Sequence, residues 1–177
     1  MTDQRTKTAR MMPLVIALLV ILADRLSKIS IQRSMGLFDS VSIIPGWLRI
    51  VHTENPGAAF GFMAEGNPYL RSAVLIGLSA AVLVFVASAL WRNGSSFTDI
   101  GGRLGLSFVL GGAAGNLYDR IAHHAVTDFV EVYHGTWSFP AFNIADSAIT
   151  VGAILLLLGL LLHPQKPVEE RAGAAQR

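Results

Sequence analysis

The chain contains no cysteine, which excludes disulfides, thiolate metal sites, a cysteine nucleophile and a lipid carried on a cysteine of its own. Charge is scarce: 15% of the 177 residues are Asp, Glu, Lys or Arg, whereas a soluble domain carries about a quarter. With 14 Lys+Arg against 12 Asp+Glu the formal charge is +2, too small a field to grip a nucleic-acid backbone, so nucleic acid is not an expected partner. Internal repeats and low-complexity tracts are also missing. Apolar side chains, by contrast, make up 52% of the sequence. This balance predicts a single integral membrane domain over residues 1–177, with no room for a separate soluble module and any chemistry confined to the membrane.

A hydrocarbon core about 30 Å thick asks for ~20 apolar helical residues. Ser72 to Trp91 supplies them without a charge, and Ser147 to Gln165 is a second such stretch, with the run Ile154 to Leu162 broken only by Gly159. Two shorter runs, Met11 to Ala23 and Leu104 to Tyr118, stop at Asp24 and Asp119. Each must continue through charged positions to cross. Four spans are therefore expected, at about 11–31, 72–91, 100–118 and 146–163. Arg5, Lys7 and Arg10 before the first run also fit a signal peptide, but no A-x-A site follows, so an anchor is expected. Arg5, Lys7, Arg10, Arg92, Arg103, Lys166, Arg171 and Arg177 fall on one side, while the other carries Arg33, Arg49, Arg71 and Arg120 together with Asp39, Glu54, Glu65, Asp119, Asp128, Glu131 and Asp146. The positive-inside rule places both termini in the cytoplasm. On the inside, the Arg92–Asp99 loop and the tail after Pro164 carry no evident function. Outer loops are expected at about 33–68 and 119–143. β-Branched and aromatic residues from Val41 to Thr53 flank Pro45-Gly46 and predict a hairpin. The fold class is thus an all-α membrane protein of four transmembrane helices with a small β-rich outer cap.

An ionisable side chain inside a membrane is costly and is retained where it pairs or works. Asp24 is the deepest such group, with Lys28 at i+4 as an ion partner. A Ser27–Lys28 nucleophilic pair is disfavoured because helical neighbours point ~100° apart. Glycines 111, 112 and 115 suit close helix packing. Asn116, Asp119 and Arg120, within one turn, set an amide, a carboxylate and a guanidinium at the outer interface. Arg120 either pairs with Asp119 or holds a carboxylate or substrate carbonyl. Asp128 and Asp146 each sit among apolar residues on the same side of the membrane. Asp146 alone reads as a helix cap or dipole partner and Asp128 as a loop carboxylate. Brought together they would share a proton, one serving as acid and the other as base. His123, His124, Asp128, Glu131 and His134 suggest a rival metal cluster, but HExxH is absent and the adjacent histidines cannot share a helical face, so no metal or other cofactor is expected. A transporter relaying protons through Asp24, Asp128 and Asp146 is a second rival, and it lacks a repeat.

Five blocks, in order, resemble the bacterial lipoprotein signal peptidases, or signal peptidase II. They are Asp24-Arg25-Leu26-Ser27-Lys28, Asn55-Pro56-Gly57-Ala58-Ala59-Phe60-Gly61, Gly111 to Arg120 (GGAxGNxxDR), Thr127-Asp128-Phe129-Val130 and Phe142-Asn143-Ile144-Ala145-Asp146. The resemblance implies a monomeric aspartic endopeptidase of the bacterial inner membrane, with its active site at the outer face. Its implied substrates are diacylglyceryl-modified prolipoproteins, whose signal peptide it removes just before the lipidated cysteine while the substrate stays in the lipid. Asp128 and Asp146 match the family's catalytic dyad. Asn55, Asn116, Arg120 and Asn143 match positions around it, and Asp24 and Asp119 match supporting polar positions. An outer β-cradle is also implied, in agreement with the hairpin.

Overall fold

A computed structural model describes residues 2–57, 67–91 and 100–162, with side chains from Met11 onward except that of Trp91. The Arg92–Asp99 loop, the tail, and the Ala58–Gly61 part of the outer-loop motif lie outside the described residues. The described residues form four helices, α1 (Thr2–Ser34), α2 (Pro68–Trp91), α3 (Ile100–His123) and α4 (Ile144–Leu162), and four strands, β1 (Ser40–Ile44), β2 (Leu48–Asn55), β3 (Val126–His134) and β4 (Trp137–Ser138). The chain is therefore mostly helical with one small antiparallel sheet. Among the described residues, two helices, Pro68–Leu90 and Ile144–Leu162, are long and apolar enough to cross a membrane.

Helix α3 is the hub, packed against α4, α1 and α2. Small residues allow this, because a side chain at each contact would displace a neighbour. A Cβ on Gly111 would meet Ala17 O and Val20 of α1 at 2.7 Å, and one on Gly112 would collide with Ala145 O of α4. Gly105 and Gly152 face each other's backbone in the same way, each Cβ position within 3 Å of the other's carbonyl oxygen. The glycines thus serve helix packing, as their spacing suggested. A small apolar cluster of Val86, Leu106 and Val109 joins α2 to α3.

The distribution of polarity is inverted relative to a soluble protein. Leu14, Leu18, Leu22, Leu78, Phe85, Leu157 and Leu161 are exposed, whereas Lys28, Asn143, Asp24, Asp119 and Asp128 are among the largest fully buried side chains. An apolar exterior around a polar interior is what a lipid solvent selects.

The sheet runs β1-β2-β3-β4. β1 and β2 form the expected hairpin, turning at Pro45-Gly46-Trp47 with Gly46 at φ +80°, a left-handed conformation that glycine adopts without strain. β2 pairs with β3 so that Thr53 stands opposite Asp128. A further bridge, Val130 with Phe142, lays the segment entering α4 against β3. Its bonds are Val130 N–H to Phe142 O (2.8 Å) and Phe142 N–H to Val130 O (2.9 Å).

Two local structures differ from the expected outer loop at 119–143. α3 does not stop at Asp119 but continues through Arg120 to His123, because Asp119 turns inward onto cations of α1 and so does not seek water. The segment holding Asp128 is a nine-residue strand. Its partner β2 lies more than seventy positions away in sequence, and no local pattern announces that pairing.

Overpacking at a contact of this kind costs about 1–3 kcal/mol. Gly112→Val is therefore expected to lower the thermal midpoint of the detergent-solubilised protein by several degrees. Gly77→Ala, inside α2 where an added Cβ meets nothing within 4 Å, is expected not to lower it, since alanine is the better helix former. Calorimetry of the two variants checks both.

Candidate active site

The site forms where the C-terminal parts of α1 and α3 and the N-terminal end of α4 meet β2 and β3. Asp128 on β3 is buried (2% exposed) and accepts from two side-chain amides: Asn143 Nδ2 donates to Oδ1 at 2.6 Å and Asn55 Nδ2 to Oδ2 at 3.1 Å. Asp146, half-buried in the first turn of α4, accepts from Asn116 Nδ2 at 2.7 Å through Oδ1. The amides of Asn116 and Asn143 also touch, Asn143 Nδ2 donating to Asn116 Oδ1 at 3.3 Å. Both aspartates therefore belong to one hydrogen-bonded cluster.

Local sequence explains how α4 begins here. Asn143 precedes its first residue and accepts the Asp146 N–H through Oδ1 at 2.9 Å, while Asp146 Oδ2 lies 3.4 Å from the Asn143 N–H. This is a reciprocal cap with the carboxylate at the third helical position. The capping reading of Asp146 and its place in the cluster are thus both true of one side chain. Asn55 is also oriented locally: its Oδ1 accepts the Gly57 N–H at 2.8 Å, leaving its amine to face Asp128. Gly57 sits at φ +106° with Leu75 against it, a position that only glycine fills without a clash.

Beneath the aspartates lies a buried ion cluster. Lys28 Nζ contacts Asp24 Oδ2 at 2.7 Å, Asn116 Oδ1 at 3.0 Å and Asp119 Oδ2 at 2.7 Å. The last contact is an ion pair whose angle lies outside hydrogen-bond geometry. Asp119 Oδ1 accepts from Arg25 Nη1 at 2.8 Å, and Asp24 Oδ1 accepts the Ala145 N–H at 3.0 Å. Asp119 is thus paired with α1 and not with Arg120. The Arg120 guanidinium feels the charges of Asp146, Asp128 and Asp119, yet among the described residues its Nε is buried without a partner and its Nη1 reaches Asn116 O, at 3.5 Å. It is a cation held beside the aspartates with donors to spare.

Electrostatics separates Asp128 from an ordinary carboxylate. Burial, followed by the nearby charge of Asp146, pushes its pKa up to about 6 against the hydrogen bonds of Asn55 and Asn143 and the charge of Lys28. A carboxyl titrating there is suited to giving and taking a proton near neutrality.

All eight residues singled out in the sequence, Asp24, Asn55, Asn116, Asp119, Arg120, Asp128, Asn143 and Asp146, lie in or against this cluster. The i+4 spacing of Lys28 and Asp24 is legible in the sequence; the contact of Lys28 with Asn116 on another helix leaves no mark there. Arg25 was missed for the same reason. Gln32, whose Nε2 donates to Thr127 Oγ1 at 2.7 Å beside Asp128, was missed as well. The residues of the rival metal cluster are apart in their bonding: His123 and His124 are exposed, Glu131 is held by Arg49 at 2.6 Å, and His134 stacks on Trp47. Among the described residues no group of three potential ligands converges on a metal position. Ser27 Oγ donates to Asp24 O, away from a nucleophile's role.

Residues 16–162 match a family model described as Signal peptidase (SPase) II. The chain is 40% identical over 146 residues to a lipoprotein signal peptidase of Solibacter usitatus, covering 82% of this chain and 88% of that one. It is 38% identical over 149 residues to a lipoprotein signal peptidase of Neisseria gonorrhoeae, covering 84% and 88%. A solved structure described as a bacterial membrane enzyme, determined in meso at 2.3 Å resolution, superposes with a TM-score of 0.74 at 28% identity, over 89% of this chain and 94% of that one.

Removing the Asp146 charge is expected to lower the Asp128 pKa from about 6, since a neighbouring anion is one of the two causes that raise it. Asn143→Leu, which deletes a donor to the ionised form, is expected to raise it. Carboxyl carbon NMR titration of Asp146→Asn and Asn143→Leu reads both directions.

Proposed function

The chain belongs to the signal peptidase II family, and on that premise we propose that it is a membrane aspartic endopeptidase acting on diacylglyceryl-modified prolipoproteins, with Asp128 and Asp146 as the catalytic pair. The observation that carries the reading is the joining of these two carboxylates, from a strand and a helix, by the amides of Asn116 and Asn143.

The chemistry follows from the two environments. Asp128, dry and with its pKa pushed up to about 6, holds the shared proton. Asp146 lies in the first turn of α4, where the helix dipole favours negative charge, and serves as the base. Asp146 takes a proton from water as the water oxygen attacks the scissile carbonyl carbon. Asp128 donates its hydrogen to the carbonyl oxygen, and Arg120, with unused donors, steadies the charge that develops there. Collapse of the tetrahedral intermediate breaks the C–N bond. The amine leaves with the proton that Asp146 took, a hydroxyl of the intermediate returns its proton to Asp128 as the carbonyl re-forms, and the acid and base roles are restored. No covalent intermediate and no metal enters the sequence.

A signal peptide is itself an apolar helix, and a diacylglyceryl group keeps the adjoining residue in the bilayer. Substrate would therefore approach through lipid, and we place all four helices across the membrane with both termini in the cytoplasm, as one domain. The charge asymmetry of the sequence supports that orientation. The exposed apolar faces of α1, α2 and α4 support the lipid contact. The sheet would then cap the outer surface of a bacterial inner membrane, and since the cluster is complete within one chain a monomer suffices.

Asp128→Asn and Asp146→Asn are each expected to lower turnover by about 10³-fold or more, with membrane insertion intact. A gel-shift assay on purified enzyme and lipidated prolipoprotein measures this, with EDTA expected to have no effect and the unlipidated precursor expected to stay uncut. Full turnover in either folded variant would remove that residue from the pair, and chelator-sensitive turnover restored by zinc would replace the mechanism.

A further inference from the structure

Three asparagines aim amines at the two carboxylates, and an asparagine amide can turn over, presenting a carbonyl where its amine stood. Such a flip would set oxygen against carboxylate oxygen. In Asn55 and Asn143 the flip is blocked by a backbone donor on Oδ1, from Gly57 and Asp146 respectively. Among the described residues, no backbone N–H does this for Asn116. Its Oδ1 accepts from Lys28 Nζ at 3.0 Å and, more weakly, from the Asn143 amide at 3.3 Å. Because an ammonium can only donate, it allows a single orientation of Asn116, the one in which Nδ2 reaches Asp146 at 2.7 Å.

We infer that Lys28 is a positioning residue for the aspartate pair, acting through Asn116 to fix the Asp146 carboxylate; this rests on the proposed roles of Asp128 and Asp146. Its own place is fixed by Asp24 on α1 and Asp119 on α3, so that an ionic link one layer below the reaction sets an amide in the layer above. The charged groups around the link are Asp24 and Arg25 from α1, Asp119 and Arg120 from α3, Asp128 from β3 and Asp146 from α4. Lys28 lies on the positive side of that balance and also lowers the proton affinity of Asp128. Loss of the link withdraws a donor from the base and a cation from the pair, so the ionised carboxylate becomes harder to form. The acid limb of the pH–kcat profile then moves to higher pH.

The test uses three forms of the full-length protein in detergent with lipidated prolipoprotein. Asp24→Asn/Lys28→Met removes one buried charge of each sign. Asn116→Leu keeps every ion pair of Lys28 and breaks the link above it, together with the weaker contact from the Asn143 amide. Both are expected to lose kcat by about 100-fold, the effect of a misplaced catalytic group, with KM unchanged and the acid limb displaced upward. The triple variant is expected to be no worse than Asn116→Leu, because Lys28 acts through that residue. Losses that multiply in the triple variant would overturn the inference, as would a wild-type kcat and acid limb in folded Asp24→Asn/Lys28→Met. Should that variant fail to fold, Asn116→Leu decides alone: a wild-type acid limb there overturns the inference. Full turnover in Asp128→Asn or Asp146→Asn would instead mark failure of the catalytic pair. Loss of the positioning role alone would leave those two variants inactive.

Discussion

The structure depends on keeping a lysine ammonium charged and satisfied inside a helical bundle. Lys28 is fully buried, and so are the carboxylates of Asp24 and Asp119 that neutralise it. In a low-dielectric interior an unpaired charge costs several kcal/mol, so removing one partner is far worse than never having had the pair. The contacts run from α1 to α3, and Asp24 reaches on to the backbone of Ala145 at the start of α4. Three helices are thereby registered at one depth. Close packing at Gly111, Gly112 and Gly115 is what allows the short side chains to meet, and a Cβ on Gly115 would press on the Asp24 carboxylate at 2.8 Å.

Above that layer, the sheet converts a bundle end into a site. Strand β3 brings Asp128 over the helix ends, and the Val130–Phe142 bridge fixes the distance between β3 and the start of α4. Asn143 then serves both elements, capping α4 with its carbonyl and holding Asp128 with its amine. Burial of Asp128 and partial exposure of Asp146 follow from this stacking. Burial and the nearby charge of Asp146 raise the proton affinity of Asp128.

Much of the site was legible because membranes make polar residues conspicuous. Against a background of 15% charge, Asp24, Asp119, Asp128 and Asp146 interrupt apolar stretches, and each interruption turned out to be a member of the cluster. The hairpin at Pro45-Gly46 and the glycine faces of α3 could be read for the same local reasons. The strand character of Thr127–Val130 could not, since the β2–β3 pairing spans the second and third helices. Lys28 illustrates the limit most sharply. Its i+4 contact with Asp24 is written in the sequence, whereas its contact with Asn116 joins residues 88 positions apart.

Sequence by itself determined the apolar helices, the hairpin and the identities of the polar residues, because periodicity, composition and turn chemistry act over a few neighbouring positions. Tertiary structure alone decided which polar residues touch. It gave Asp119 to Arg25 and Lys28 and left Arg120 with free donors, and it joined Asp128 to Asp146 through two asparagine amides. Those choices depend on helix crossing and strand register, which bring together groups from distant parts of the chain, and the proton affinity of a carboxylate is set by what surrounds it in space.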